Sequence, residues 1–351
     1  MSGVRRIAAQ RLEAFTHACL AAVGLPGADA ASVAALMSQA DLAGADGHGI
    51  FRLPQYVKRI QSGGINVRPS IRALRETPAT ALVDGDNAMG HLVMSFAARM
   101  AIDKARTAGV AWVGARNSNH AGPAALYARM PLEHDMIGLY IAVGNANHLP
   151  PWGGTEMLLS TNPIAIAIPG REERPIVLDM ATTVAAYGKV KTAAQRGETM
   201  PEGWMIDRSG RPLTDPRRAA EGFLLPIGGP KGYGLALAFG LLAGTLNGAA
   251  FGRDVVDFNA DSVTPTNTGQ LIVAISIAAF AEVDAFKRAV DAAIAAMHGS
   301  PTLPGFDAVR VPGERSHAIR REREAEGIPV HAGLDQALRA LGMSLGVAYP
   351  G

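Results

Sequence analysis

Apolar positions along the first sixty residues recur every three to four places, the period of a helix face. Leu12, Phe15, Cys19, Leu20 and Val23 make one such face, stopped by Gly24, Pro26 and Gly27. A second helix, with Asp29 as its cap, carries Val33, Leu36, Met37 and Ala40. A third stripe of Ile50, Leu53, Tyr56, Val57 and Ile60 ends at Ser62-Gly63-Gly64. Pro54 has no N–H and fits only a first turn, so this helix starts near residues 49–51. From about residue 70 short apolar runs take over. Strands are predicted at 80–83, 110–115, 136–143, 164–168, 176–178 and 271–277, with a turn at Gly85-Asp86-Asn87. Helices are predicted at 92–108, 123–133, 181–195, 231–246 and 282–298, and 318–345 is charged and partly helical. Residues 197–216 are loop-rich, with a turn at Ser209-Gly210.

Of the 351 residues, 48% are hydrophobic and 18% charged, enough to bury a large core across two or three domains. Lys and Arg number 33 against 31 Asp and Glu, a net charge of +2. With no basic stripe interleaved with aromatics, this argues against a nucleic-acid platform. The single cysteine, Cys19, rules out an internal disulfide and fits a reducing compartment. Its place on an apolar helix face makes it a core residue. The start MSGVRRIAAQRLEAF lacks an apolar run long enough for a signal peptide. The apolar segment 235–251 holds Asn247 and three glycines, is short for a membrane span, and reads as a buried helix. A cytoplasmic protein is expected, with neither nucleic acid nor membrane as partner.

Helix and strand alternate between 80 and 180, which invites a Rossmann reading, but the fingerprint is missing. GHGIFR (47–52) and GYGLAL (232–237) begin G-x-G without the third glycine, and GGPKGYG (228–234) is no Walker A motif. Four places carry candidate chemistry. In ADGHGIFRLPQYVKRI (45–60), His48 lies between two glycines just before a helix N-terminus, with Arg52 four residues on. A helix N-terminus plus a guanidinium fork suits a small carboxylate, and an imidazole can offer it a proton near neutral pH. On the residues alone, a surface histidine and a solvated arginine is the commoner meaning of such a pair. RNSNHAGPAALYARM (116–130) opens a helix with small residues after His120, where a ligand can lie on the backbone. Asp179 ends a strand before a helix, with an N-cap as its default role. Lys231, among glycines, suits a phosphate or plain solvent. No metal is expected, because His48, His120 and Asp179 lack ligand spacing.

Taken in order, DGHGIFRLPQYVKRIQSGGIN, NSNHAGPAALYA, PPWGGTEMLLSTNPIAIAIP, IVLDMATTVAAYGKV, MPEGWMIDRSGRPLTDP, GGPKGYGLAL and VPGE resemble the type-2 malate/L-lactate dehydrogenase family over about residues 5 to 345. That family also takes in ureidoglycolate and sulfolactate dehydrogenases, a diketogulonate reductase and piperideine-2-carboxylate reductases. The resemblance implies an α/β (α+β) fold that is not Rossmann. A mixed, mostly antiparallel cofactor sheet over 71–299 would join a helical region made of 1–70 and 300–351. It implies a homodimer, and hydride transfer between NAD or NADP and a small 2-hydroxy/2-oxo acid. It makes His48 or His120 the acid/base and Arg52 the carboxylate grip, with Tyr56 and Thr161 also at the substrate. The cofactor residues it implies are His120, Ala121, Gly122, Pro123, Ala124, Asp179, Met180, Ala181, Lys231, Gly313 and Glu314.

The chain departs from the family in four places. Gly47 stands where members usually have serine, and Lys189 where the imino-acid reductases have an aspartate of the same proton relay. A cyclic imino-acid reductase is therefore a weaker reading than a hydroxy-acid dehydrogenase. Ala121 replaces a bulky residue, and His148 an apolar one; exposed surface is the expected place for His148. The missing Gly47 hydroxyl also motivates a rival: a nicotinamide-binding relative that no longer turns over.

Overall fold

A computed structural model describes residues 4–351. The chain opens with strand β1 (Arg5–Ile7) and helices α1 (Ala9–Ala22), α2 (Gly27–Leu42) and α3 (Leu53–Gln61). It continues through β2 (Arg72–Glu76), β3 (Thr80–Ala88), α4 (Gly90–Ala108), β4 (Val110–Ser118), the single turn α5 (Ala125–Ala128) and β5 (Met136–Ala142). Next come the small pair β6 (Asn147–Leu149) and β7 (Leu159–Ser160), then β8 (Ile164–Ile168), β9 (Ile176–Met180) and α6 (Tyr187–Arg196). β10 (Met205–Asp207), β11 (Gly222–Leu224), α7 (Pro230–Ala243), β12 (Gln270–Ser276), α8 (Val283–His298), α9 (Glu314–Glu326), β13 (Ile328–Val330) and α10 (Ala332–Leu345) complete it.

Seven strands form one sheet in the order β2-β3-β4-β12-β5-β8-β9. Only β3 and β4 run parallel, because α4 carries the chain back between them; every other neighbouring pair is antiparallel. The sheet is thus mixed and not Rossmann, as the family resemblance implied. Alternate residues serve its two faces. Val113, Ala115, Tyr140, Ile272 and Ala274 pack with α4 residues such as Val93, Met94, Ala97 and Ala101. Ile141, Leu271 and Val273 turn the other way, onto Phe239, Leu242 and Ala243 of α7. Burial on both faces explains why β12 reads as a continuous apolar run.

The second core is helical and joins the two ends of the chain. β1 pairs antiparallel with β13, from Arg5 against Val330 to Ile7 against Ile328. Around that pair Leu12, Phe15 and Leu20 of α1, Val33 and Met37 of α2, Leu53, Tyr56 and Val57 of α3 and Leu338 of α10 share one cluster. Cys19 lies in it, fully buried.

Several expectations need correction. Gly85-Asp86-Asn87 does not turn the chain: β3 runs on to Ala88, with Asp86 and Asn87 at φ 48° and 57° inside a register shift. Asp and Asn tolerate that left-handed backbone, so a bulge replaces the turn. The helix expected at 123–133 shrinks to α5 and a 3₁₀ stretch Met130–His134, because Pro131 cannot donate to a continuing helix. The helix expected at 181–195 begins only at Tyr187. Before it, Thr182 donates its N–H to Thr161 O at 2.9 Å, and Thr183 bridges to Pro226. Asp29 sits in the first turn of α2 while Pro26 takes the cap position. Finally, α7 is not a buried helix. Gly232, Ala236, Gly240 and Ala243 face inward, and Leu235 and Leu241 face solvent, with Leu246 beyond the helix end 63% exposed. Among the described residues no helix is long and apolar enough to cross a membrane.

Candidate active site

The loop from α2 to α3 carries His48 and Arg52, and a buried carboxylate sets its path. Asp41, at the end of α2, accepts the Ile50 N–H at 2.8 Å and so anchors the 3₁₀ turn Ile50–Arg52 that leads into α3. Burial pushes the Asp41 carboxyl up to about 8, against the pull of that N–H. Arg323 of α9 braces the same loop from outside, donating to Asp41 O and to the Asp46 carboxylate.

Arg52 is 8% exposed. Its Nε donates to Gly47 O at 2.8 Å, and its Nη1 to Gln55 Oε1 at 2.9 Å and Asn259 Oδ1 at 3.4 Å. All three acceptors are neutral, and among the described residues no carboxylate pairs with it within 4 Å. A desolvated guanidinium held only by neutral acceptors keeps an uncompensated positive charge.

Two imidazoles meet beside it. The His48 and His120 rings stack at 5.6 Å between centroids, 14° from parallel, although 71 other residues lie between them in the chain. His120 also stacks on Phe258 at 5.2 Å, and Phe258 presents its face to the Arg59 guanidinium at 5.0 Å. The His120 Nδ1 accepts the Gly122 N–H at 3.3 Å and lies 2.6 Å from the Tyr56 hydroxyl. Burial raises the Tyr56 pKa well above its ordinary value, so that hydroxyl keeps its proton and donates it here. Nδ1 is therefore an acceptor, and neutral His120 carries its proton on Nε2.

A third histidine, His91 at the start of α4, is wholly buried edge-on to Tyr56 at 5.6 Å, and neither ring nitrogen has a partner. Burial, with Arg52 second, brings His48 down to about 4; burial, with His48 second, brings His91 down to about 3; His120 falls well below its ordinary value for the same reasons. A pKa near neutral, expected for His48, is thus corrected: all three rings are uncharged at pH 7.

α6 and the 257–259 turn pack against the same residues. The Gly188 Cα would lie 3.9 Å from a Cβ on Gly47. His148 is not exposed surface. Its ring stacks on Tyr187 at 3.8 Å, and burial lowers it to about 4. Lys189, one residue past Gly188, is exposed, while Lys191 reaches inward to Asn259.

The expected cofactor residues fall into several groups. Pro123, Asp179 and Gly313 line one cavity of about 350 Å³ with Arg129, Arg320 and the inner face of α2. That volume lies within the roughly 300–1,000 Å³ of ordinary ligand pockets. Asp179 does not cap the helix after it; its carboxylate accepts the Ala125 N–H at 2.9 Å. Desolvation raises it to about 6, against the pull of that N–H. A carboxylate for hydroxyls and two guanidiniums for phosphates fit a dinucleotide. Gly122 and Gly313 take positive φ of 77° and 102°, and a Cβ on Gly313 would meet Val177 N at 3.0 Å, so backbone forms the cavity wall there. Ala121 and Ala124 are core residues beneath this wall, and Met180 and Ala181 follow Asp179 half-buried. Glu314 instead turns to His298 and Val311 N–H, and Lys231 is exposed on α7; neither lines the cavity. Thr161 is half-buried, its carbonyl taken by both donors of Thr182. Tyr56, His91, Phe258, Asn259, Tyr187 and Lys191 complete the surroundings of the imidazoles. Of these the sequence reading named only Tyr56 as a site residue; Phe258 and Asn259 carried no local pattern to find.

A mixed sheet with a helical cap and an imidazole pair beside a buried guanidinium define a dehydrogenase of the non-Rossmann kind. The chain belongs to the malate/L-lactate dehydrogenase family, whose pattern it matches over residues 7–339. It is 39% identical over 324 residues to the L-sulfolactate dehydrogenase of Methanocaldococcus jannaschii, covering 92% of each chain. It is 37% identical to the malate dehydrogenase of Pyrococcus horikoshii, over 97% of this chain and 96% of that one. The solved structure of the M. jannaschii sulfolactate dehydrogenase superposes with a TM-score of 0.91 at 37% identity, covering 98% of each chain.

Proposed function

We propose that His48 exchanges the proton, that His120 orients the reacting oxygen from Nε2, and that Arg52 grips the carboxylate, with Tyr56 and Thr161 on the substrate side. The protein is an oxidoreductase that moves a hydride between NAD or NADP and a small 2-hydroxy or 2-oxo acid of malate/lactate type. The bound nicotinamide supplies the hydride chemistry. Pro123, Asp179, Gly313, Arg129 and Arg320 would hold the dinucleotide, and the 120–124 segment its reactive end. A hydroxyl that is oxidised must also lose its proton, and a neutral imidazole is the group to take it. Support for choosing His48 lies in the bonds of its neighbour: the His120 Nδ1 already accepts two hydrogen bonds, which leaves that ring a donor. When a carboxylate meets Arg52, the lesser of the two causes that depress His48, after burial, is offset, and the imidazole's affinity for the proton rises. The observation that carries this reading is Arg52, buried and held only by neutral acceptors.

The test is absorbance loss at the nicotinamide band with NADH or NADPH and a panel of 2-oxo acids. Calorimetric cofactor binding without turnover on any acid would refute catalysis and leave a binding protein. His48→Ala should lower kcat by about 100-fold or more; an unchanged rate would move the role to His120.

Two copies are proposed to associate through the apolar outer face of α7, where Leu235 and Leu241 stand exposed near Leu246. Sedimentation of Leu241→Glu would then show a monomer. Residues 1–70 with 300–351 are taken as one unit and 71–299 as the other. An unpaired, buried Cys19 supports a reducing cytoplasm.

A further inference from the structure

We propose that Lys191, acting beside Arg52 across the side chain of Asn259, reads a second acid group on the substrate, so that the enzyme prefers 2-oxo and 2-hydroxy acids bearing two anionic groups over those bearing one. The proposal rests on the reading of Arg52 as the carboxylate grip.

The geometry begins with α6. Gly188 sits against Gly47, so the first turn of this helix forms a wall beside His48. Tyr187 and Lys191 lie four residues apart and so share one helix face, with the Lys191 Nζ 5.6 Å over the Tyr187 ring. From there Nζ donates to Asn259 Oδ1 at 2.7 Å. The Arg52 Nη1 donates to that same oxygen at 3.4 Å. Two cations therefore converge on one neutral amide oxygen. Like charges at this separation repel, most strongly where water is thin. Lys191 shows it: burial lowers its pKa first, and the charge of Arg52 lowers it further.

Among the described residues, the one acid that acts on Lys191 does not cancel both charges. Asp257 draws on Lys191, but its Oδ1 is already taken by the Asn259 and Ala260 N–H groups at 2.7 and 3.1 Å. His148 is held neutral and adds no charge. A substrate with a single carboxylate would satisfy Arg52 and leave Lys191 on an amide. A four-carbon diacid, or a carboxylate joined to a sulfonate, would answer both. The division of labour suits the two side chains: a planar fork fixes the carboxylate beside the reacting carbon, and a rotatable point charge accepts distal acids of different shape. Asn259 holds the two donors in place until the diacid replaces its oxygen. Lys189 is exposed, two positions away, and cannot stand in for this contact.

The experiment compares oxaloacetate with pyruvate as substrates for the full chain, with NADH or NADPH, in wild type, Lys191→Met and Lys191→Arg. Wild type should favour oxaloacetate in kcat/KM. Lys191→Met should lower the oxaloacetate-to-pyruvate ratio about 10- to 100-fold, the usual worth of one hydrogen bond between charged groups, chiefly through KM. Lys191→Arg should recover most of it. Equal use of both acids by wild type, or a loss in Lys191→Met that falls equally on both, overturns the proposal; the second result is what a purely structural lysine gives. Calorimetry with tartronate (a diacid) and oxamate (a monoacid) decides the same point without turnover. If no acid is reduced, the oxidoreductase reading fails on its own. A tartronate-to-oxamate affinity ratio that falls in Lys191→Met then still supports the second anion site, and an unchanged ratio removes it.

Discussion

Two glycines flank His48, and the structure gives them opposite tolerances. A Cβ on Gly49 would lie 2.5 Å from Asp41 Oδ2 and closer still to Oδ1 and Cγ. Ordinary contact needs roughly another 1 Å, and neither side can yield it freely. Asp41 is buried on a packed helix, and its carboxyl accepts the Ile50 N–H one residue past the glycine. Gly49→Ala must therefore break that hydrogen bond as well as overpack the corner. Overpacking costs about 1–3 kcal/mol and orphaning a buried polar group a further 1–3 kcal/mol. The sum, roughly 2–6 kcal/mol, is a large part of a typical domain's stability. A shift of about 1 Å between His48 and Arg52 should also lower kcat/KM around 100-fold in whatever fraction remains folded. Gly47 has only the Gly188 Cα, at 3.9 Å, within reach of a new Cβ, so Gly47→Ala should fold with near-native stability. Urea denaturation and steady-state rates on the two variants side by side make the assay. Equal midpoints for Gly49→Ala and Gly47→Ala would refute the account of Asp41 as the anchor of the loop.

Three further outcomes follow from the same geometry. Tyr56→Phe removes the donor 2.6 Å from His120 Nδ1, so it should cost only about 0.5–1.5 kcal/mol in stability yet reduce kcat several-fold, because the ring loses its orientation; an unchanged kcat would contradict the tautomer argument. Gly47→Ser should be accommodated and restore a hydroxyl beside His48, and a faster rate at low pH would show that a relay can be rebuilt there. The depressed histidines also set an acid limit. The unfolded chain takes up protons near 6.5, whereas folded His48 and His148 wait until about 4 and His91 until about 3. Stability is thus complete above pH 6.5 and falls as pH drops from there towards 3–4, on the order of 3 kcal/mol for each ring. Denaturation midpoints that stay constant between pH 7 and 4.5 would refute that burial.

Local pattern carried far in this chain where one physical rule dominated. Pro54 sits in the first turn of α3 as its missing N–H required, although residues 50–52 form a 3₁₀ turn and the α-helix begins only at Leu53, and β8 was legible from its own apolar residues. It failed where a neighbour distant in sequence overrode propensity. Thr182 and Thr183 leave the helical reading because Thr161 and Pro226 offer them backbone partners. Asp179 looked like a cap for the helix after it and instead serves Ala125, 54 positions earlier. In the pocket, His48, Arg52 and His120 were visible as residue types beside glycines and a helix start. Asn259 was not: it lies 207 positions from Arg52 and 68 from Lys191, and nothing in VVDFNADS signals that it joins them. His148 was misjudged because its burial depends on Tyr187, on a helix whose start the local pattern misplaced.

The brace from α9 bears on how the enzyme comes into being. Arg323 holds the carbonyl of Asp41 and the carboxylate of Asp46, the latter 277 positions earlier in the chain. At ~5–20 residues per second, a ribosome delivers that guanidinium on the order of 15–55 s after the loop it steadies. A nascent chain can finish its central sheet well before then, yet its loop is fully braced only once the ninth helix has been made. Premature stops ahead of the ninth helix should therefore yield species that bind little and turn over nothing, however well their strands have zipped.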